Sequence, residues 1–308
     1  MASISILIPV FNWDCTRLVY DLQKQASTLQ CQYEIIVADD CSSDKELRHV
    51  NEKISELDCC QFIPLERNIG RSAIRNMLAD KAIFPWLLFL DCDAQVASAT
   101  FLKDYLEAAE NSPLVCGGLR HPETLPRHGV ELRYRYERRA DLLERPASVR
   151  QSQPYARFTP FSFLIRRDIF MSIRFCEQFN RYGYEDVLFG KELQDRQIPI
   201  LHIDNPLIHL GLEENQVFLD KTQESLRTLA ENRQSVNNAS KLLRSYNRLT
   251  TWHMNWLLHL AYGTFGAVIR RNLTGSRPSL RLFSLYKLLY FAEICRNPYL
   301  CRKIQELH

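Results

Sequence analysis

Four short apolar runs alternate with helix-forming stretches over the first ninety residues, and that rhythm most narrows what the chain can fold into. SISILIPV, YEIIVA, CQFIPL and WLLFLD are nearly continuous in apolar residues, so they need cover on both faces. Helical patterns at about residues 16–28, 44–56 and 71–82 supply that cover. The expected fold is therefore α/β, with a mostly parallel central sheet. Such sheets bind ligands beyond the carboxyl ends of their strands.

The residues after the four runs are Pro9-Val10-Phe11-Asn12, Asp39-Asp40-Cys41-Ser42, Arg67-Asn68-Ile69-Gly70-Arg71 and Asp91-Cys92-Asp93. Each alone reads as a solvated turn. Four polar clusters at one rim are harder to dismiss. If the chain stays extended at FLDCDAQ, Asp91 and Asp93 share a face and Cys92 turns back into the core. Two carboxylates side by side are costly unless a cation lies between them, and oxygen ligands suit Mg²⁺ or Mn²⁺. In GYEDVLFGKEL, Glu185 and Asp186 open a helix, where the dipole alone favours acids. The same field keeps a carboxylate ionised, as a general base requires. Gly183 just before would permit close backbone approach to a ligand. His209, in IHLG, is a lone histidine, more often structural than a ligand, although imidazole is a common metal ligand.

Regularity weakens after a helix at about 101–111 and the run LVCGG. Residues 131–150 carry six arginines among four acids, which suits a solvated helix or mobile loop laced with ion pairs. A loop closing over an anion is the sharper alternative. FSFLI and PILHI read as further strands, and from about residue 216 the pattern is helical to the end. WLLHLAYGTFGAVI, at 256–269, is too short to span a bilayer. Residues 250–308 hold eight Lys/Arg against two acids in a chain of net charge +3. Such a basic, aromatic tail can lie on a membrane surface, or pack on the catalytic body or a second copy. The ten scattered cysteines form no CxxC pair or zinc spacing, so a reducing compartment is expected. The opening MASISILIPV lacks the charged region and cleavage site of a secretory leader. No nucleic-acid recognition module is present.

Together SILIPVFN, IIVADDCSSD, ERNIGRSAIRN, LLFLDCDAQ, GYEDVLFGKEL and NPLIHLG make the chain resemble a family 2 glycosyltransferase with a GT-A fold, over roughly residues 3–215. The resemblance implies that Asp39 and Asp40 hold the base and ribose of a nucleotide sugar, with Pro9, Phe11 and Asn12 lining the same pocket. Asn68, Gly70 and Arg71, with Arg75 and Asn76, would border the nucleotide. Asp91 and Asp93 match the DxD, Asp93 as the more direct ligand of Mn²⁺ or Mg²⁺ and Asp91 nearer the ribose and donor sugar. His209 would complete the metal shell. Asp186 matches the catalytic base, with Glu185 on the acceptor side. Two departures stand out. Cys41 occupies a position where glycine is usual, and Ser162 stands where a small polar or Asn residue is expected near the sugar, which leaves the donor sugar open.

The implied activity is inverting transfer of a hexose or N-acetylhexosamine from a UDP-sugar to a hydroxyl of a glycan or lipid-linked acceptor. A catalytic domain at 1–215 and a helical extension at 216–308 are expected. So is a cytoplasmic location, with peripheral membrane contact or self-association through 250–308. Three alternatives are weaker. A dehalogenase-type phosphatase carries its DxD on the first strand. A sugar nucleotidyltransferase needs a glycine- and lysine-bearing loop that the first turn lacks. An inactive nucleotide-sugar scaffold would have little reason to keep Asp91, Asp93, Asp186 and His209 together.

Overall fold

The computed structural model describes residues 3–143, 145–177, 185–231, 233, 241–253 and 255–296. In chain order its first elements are β1 (Ile4–Val10), α1 (Thr16–Ala26), β2 (Tyr33–Asp39), α2 (Lys45–Glu52), β3 (Cys60–Pro64), α3 (Arg71–Lys81) and β4 (Trp86–Leu90). There follow β5 (Ala94–Gln95), α4 (Phe101–Ala109), β6 (Leu114–Cys116), β7 (Leu119–Arg120), α5 (Glu131–Leu143), α6 (Ala147–Gln151), β8 (Ser162–Arg166) and α7 (Arg167–Ile173). The last are α8 (Glu185–Asp195), β9 (Leu201–His202), β10 (Leu207–His209), α9 (Asn215–Glu231), α10 (Lys241–Thr251), α11 (Asn255–Leu273) and α12 (Leu280–Arg296).

By internal contacts the chain forms two compact units. The first comprises Met1–Pro122, Arg139–Asn180 and Leu188–Gly211; the second comprises Glu123–Arg138, Arg181–Val187 and Leu212–His308. The second unit thus gathers two segments that lie well before residue 216.

The first unit is built on a seven-stranded sheet of order β3-β2-β1-β4-β8-β6-β9. β1 pairs in parallel with both β2 and β4, while β8 runs antiparallel between β4 and β6. Alternate side chains of β1 face opposite ways, as strand geometry requires. Ile4, Ile6 and Ile8 pack with Leu18, Val19 and Leu22 of α1 and with Phe101 and Tyr105 of α4. Leu7 joins the opposite layer with Ile74 and Leu78 of α3, Phe170 of α7 and Phe189 of α8. There Phe89 stacks on Phe163 at 4.9 Å and meets Phe170 at 4.8 Å. Each such ring contributes about 1.5–3 kcal/mol by burial, and truncation to Ala would cost about 3–5 kcal/mol.

A separate three-stranded sheet has the order β5-β10-β7. It is small, and it delivers His209. The expected solvated helix or mobile loop at 131–150 is two helices, α5 and α6, with Arg150 4% exposed. Arg150 donates to the carbonyls of Cys116 at 3.1 Å and Ile203 at 2.6 Å, so this arginine braces the first unit's backbone.

In the second unit α9, α10, α11 and α12 enclose a core that includes Leu219, Leu226, Ile269, Phe283 and Phe291. Among the described residues no helix is long and apolar enough to cross a membrane. α11 instead leaves Trp256, Leu260, Phe265 and Val268 exposed.

Candidate active site

Parallel pairing aligns the strand ends. Val10 lies opposite Asp39, and Asp39 opposite Pro64, so the loops after β1, β2 and β3 leave the sheet at one rim. The first two loops are stitched together. The Asn12 amide donates to Ser42 Oγ at 2.8 Å, and Asn12 Oδ1 accepts from the Asp44 amide at 3.1 Å. Phe11 stands half exposed beside them.

Asp39 is fully buried and accepts from both the amide and the hydroxyl of Ser42, with Arg48 Nε at 3.7 Å. Asp40 accepts from the amides of Ile69 at 2.7 Å and Gly70 at 3.0 Å, at the entrance to α3. Asn68 Nδ2 donates to the Asp40 carbonyl at 3.0 Å. Burial raises the Asp40 carboxyl above its ordinary value, opposed by those two amides and assisted by the charge of Asp39. Asp40 therefore organises the loop at 68–70, and Asp39 the turn at Ser42, tasks that the sequence alone did not suggest. Gly70 has φ +85°, a conformation that costs glycine little. Cys41 has φ 60°, a left-handed conformation that glycine adopts more readily than a residue with a Cβ.

β4 ends at Leu90 and the chain turns at Cys92 and Asp93, so the segment is not extended as the i, i+2 argument assumed. The two aspartates consequently take different partners. Asp91 Oδ1 accepts from Arg75 at 2.6 Å, and Arg75 is only 2% exposed. Its neighbour Asn76 clamps another segment, bonding the amide and carbonyl of Phe175 at 3.0 and 2.9 Å. Cys92 packs on the core, and burial drives its thiol well above the ordinary value.

Asp93 meets His209 instead: Oδ2 and Nε2 lie 2.9 Å apart. Strand pairing explains the meeting. β10 runs antiparallel to β5 with His209 opposite Ala94, and the Leu210 amide donates to the Asp93 carbonyl at 2.8 Å. A Cβ on Gly211 would fall on Asp93 Oδ2 and lie 2.9 Å from its Cγ, so only glycine allows this approach. Behind His209 lies His121, which is 3% exposed, with Nε2 3.0 Å from His209 Nδ1. His121 also meets Asp141 and Arg145. Burial alone would raise the Asp141 carboxyl, but the hydrogen bond from His121 and the charge of Arg145 hold it below its usual value. Among the described residues no group of three His, Cys, Asp or Glu side chains gathers as a ready metal cage. Asp93 and His209 come together; Asp91, expected beside them, is engaged by Arg75.

Ser162 is fully buried and hydrogen-bonded to the Tyr105 hydroxyl at 2.6 Å. Glu185 and Asp186 open α8 and fall by contact in the second unit, where Asp186 Oδ1 accepts from the Val187 amide at 2.8 Å. Gly183 lies outside the described residues. The second unit also holds a cavity of about 630 Å³ lined by Tyr134, Arg135, Arg138 and Arg277, among others.

Residues 5–174, more than half of the chain, match the sequence model of glycosyl transferase family 2. The chain belongs to that family. An uncharacterized glycosyltransferase of Haemophilus influenzae is 34% identical over 101 residues, 32% of this chain and 39% of that protein. The poly(ribitol-phosphate) beta-N-acetylglucosaminyltransferase TarS of Staphylococcus aureus is 32% identical over 107 residues, 34% of this chain and 18% of TarS. The matched stretch thus spans about two fifths or less of these relatives' own length.

Solved structures extend the likeness to nearly the whole family 2 chain. TarS 1–349 in complex with UDP aligns over 97% of this chain and 91% of that one, with TM-score 0.50 and 18% identity. The mannosyltransferase PcManGT from Pyrobaculum calidifontis, in complex with GDP-Man and Mn²⁺, aligns over 96% and 87%, with TM-score 0.60 and 13% identity. At such identities the likeness is one of fold, and the fold is GT-A.

Sequence reasoning passed over His121, Asp141 and Arg145 in this family 2 chain. His121 follows β7 as an isolated histidine, and nothing nearby marks it. Only the pairing of β7 with β10 brings it to His209.

Proposed function

We propose that this chain is an inverting glycosyltransferase that moves a hexose or N-acetylhexosamine from a UDP-sugar to a hydroxyl of a glycan or lipid-linked acceptor. The observation that carries the reading is the meeting of Asp93 Oδ2 and His209 Nε2 at 2.9 Å, beside the Arg75–Asp91 pair, at the rim where the strands end. A carboxylate oxygen and an imidazole nitrogen converge there, with room left by Gly211. That donor set fits Mn²⁺ or Mg²⁺, whose remaining positions diphosphate oxygens and water would fill. When bound, the ion would offset the negative charge that develops on the departing diphosphate.

The chain's own residues have separable tasks in this reading. Asp93 and His209 hold the ion. Asp91, steadied by Arg75, serves the ribose and donor sugar as well as the ion's surroundings. Asp39 and Asp40 serve the base and ribose side, and Asp40 also fixes the loop through Asn68 and Gly70 that leads into Arg71. Pro9, Phe11 and Asn12 wall the nucleotide. Asp186 takes the proton of the acceptor hydroxyl as it attacks the anomeric carbon, and Glu185 lies on the acceptor side. A direct displacement of this kind inverts the anomeric centre.

The arginine-lined cavity of the second unit favours an acceptor that bears negative charge. The exposed Trp256, Leu260 and Val268 of α11 favour a contact role for residues 250–308, on a membrane surface or on a second copy. A screen of sugar nucleotides for UDP release, with Mn²⁺ and with EDTA, tests the assignment. Release from a UDP-sugar that requires Mn²⁺ and an acceptor supports it. Turnover undiminished in EDTA removes the metal, and GDP-sugars as the sole substrates remove the donor class.

A further inference from the structure

The proposed ion site ends, on its protein side, in a buried chain of side chains that nothing in the family match accounts for. His209 Nδ1 lies 3.0 Å from His121 Nε2, with the two rings perpendicular and their centroids 5.1 Å apart. At its far nitrogen, Nδ1, the partners of His121 include two of opposite character. Arg145 NH1, which can only donate, is 2.8 Å away, and Asp141 Oδ1, an acceptor when ionised, is 3.2 Å away. Arg145 and Asp141 are paired with each other, and the His121 amide donates to Asp141 Oδ2 at 2.9 Å. The His121 side chain is wholly buried and that of Asp141 is 4% exposed, so water is nearly excluded from both.

We propose that His121, held between Arg145 and Asp141, is a positioning residue that lets His209 present either an N–H or a bare nitrogen to Asp93. The proposal rests on the divalent-ion reading above. Without an ion, a contact of 2.9 Å between His209 Nε2 and a carboxylate calls for a proton on Nε2. His209 Nδ1 then accepts from His121 Nε2–H, and His121 Nδ1 accepts from Arg145. With an ion, Nε2 must offer its lone pair, so the proton resides on His209 Nδ1. His121 Nε2 then accepts it, and His121 Nδ1–H donates to Asp141. Each imidazole keeps one proton in both arrangements, and no charge is gained or lost within the pair. A partner able only to donate, or only to accept, would favour one arrangement and oppose the other. The adjacent arginine and aspartate serve both. Orientation of a metal-ligating histidine by the group at its second nitrogen is a general device, and its loss weakens metal binding by roughly 10–100-fold.

The test uses the full chain and Mn²⁺, or Zn²⁺ as a diamagnetic stand-in, alone, without donor or acceptor. Mn²⁺ affinity is measured by calorimetry for the unaltered protein, His121→Phe and His121→Gln, with melting of each ion-free protein recorded alongside. His121→Phe is expected to weaken Mn²⁺ binding about 10–100-fold. His121→Gln, whose amide both donates and accepts, should recover most of that loss. In ¹⁵N spectra of the unaltered protein, the His209 proton should move from Nε2 to Nδ1 when diamagnetic Zn²⁺, which accepts imidazole, is added. Binding by folded His121→Phe within threefold of the unaltered protein overturns the proposal. So does a His209 tautomer that bound Zn²⁺ leaves unchanged, a readout that needs no variant to fold. An unaltered protein that binds neither ion overturns the divalent-ion reading itself, and the proposal with it.

Discussion

Arg75 reaches Asp91 across 2.6 Å from a position where only 2% of its surface meets solvent. The aspartate is therefore a structural counter-charge as well as a member of the DCD motif. Among the described residues Arg75 Nε has no hydrogen-bond partner, and its NH1 also donates to the Arg71 carbonyl at 3.4 Å, so Asp91 supplies the charge that offsets the guanidinium.

Replacement of Asp91 by Ala leaves a buried cation without its acid. Breaking such pairs costs about 3–5 kcal/mol, and the partial exposure of Asp91 places the expected loss near the lower figure, about 3 kcal/mol. Urea unfolding measures it. A loss under about 0.5 kcal/mol would mean that Asp91 is held for ligand contact alone.

Gly211→Ala places a methyl group on Asp93. The carboxylate must swing away from His209, so Mn²⁺ affinity and transfer should fall together, by at least tenfold, while the fold survives. Calorimetry and turnover on the same preparation check this. Unchanged Mn²⁺ binding would separate Asp93 from the ion.

His202 supplies a pH signature. Burial, with the charge of Arg150 adding to it, lowers this imidazole to about 4 against a hydrogen bond to the Pro154 carbonyl that raises it. The unfolded chain then binds the proton more readily than the folded one. The associated stability is fully present above about pH 6.5 and is lost as pH falls towards 4, by roughly 3 kcal/mol in all. Unfolding free energy measured from pH 7.5 to 4 should show that slope, and His202→Gln should flatten it.

Asp186→Asn removes the proposed proton acceptor and little else. Loss of general-base catalysis predicts a fall in kcat of about 10²–10⁴-fold, with UDP affinity changed less than threefold. Stopped-time transfer assays and UDP titration decide it. Parallel loss of UDP binding would move Asp186 out of the base role.

The order of the early elements was legible because β1, β2 and β4 are buried on both faces, and continuous apolar runs announce that. What failed was local geometry. The i, i+2 rule requires an extended chain, and at Cys92 the chain turns, so Asp91 and Asp93 part company. Asp40 read as a nucleotide ligand by resemblance, and the sequence did not show that its carboxylate also caps the loop before α3. Residues 131–150 read as a solvated helix or mobile loop laced with ion pairs; α5 is indeed helical and ion-paired, yet Arg150 is buried under four carbonyl oxygens. His121 was invisible for a different reason. Its meaning lies wholly in pairing between strands almost ninety residues apart, and no local pattern encodes that.

The same pairing has a consequence for the order of events as the chain is made. The match to the family ends at residue 174, and both aspartates of the DCD motif are present long before that point. The imidazole that meets Asp93 arrives 116 residues after it, on a three-residue strand paired in the short sheet with β5 and β7. A nascent chain therefore carries a recognisable glycosyltransferase signature well before it can close the grip on an ion. Contacts of such long sequence separation form late and slowly, so capability should come only with the last strand.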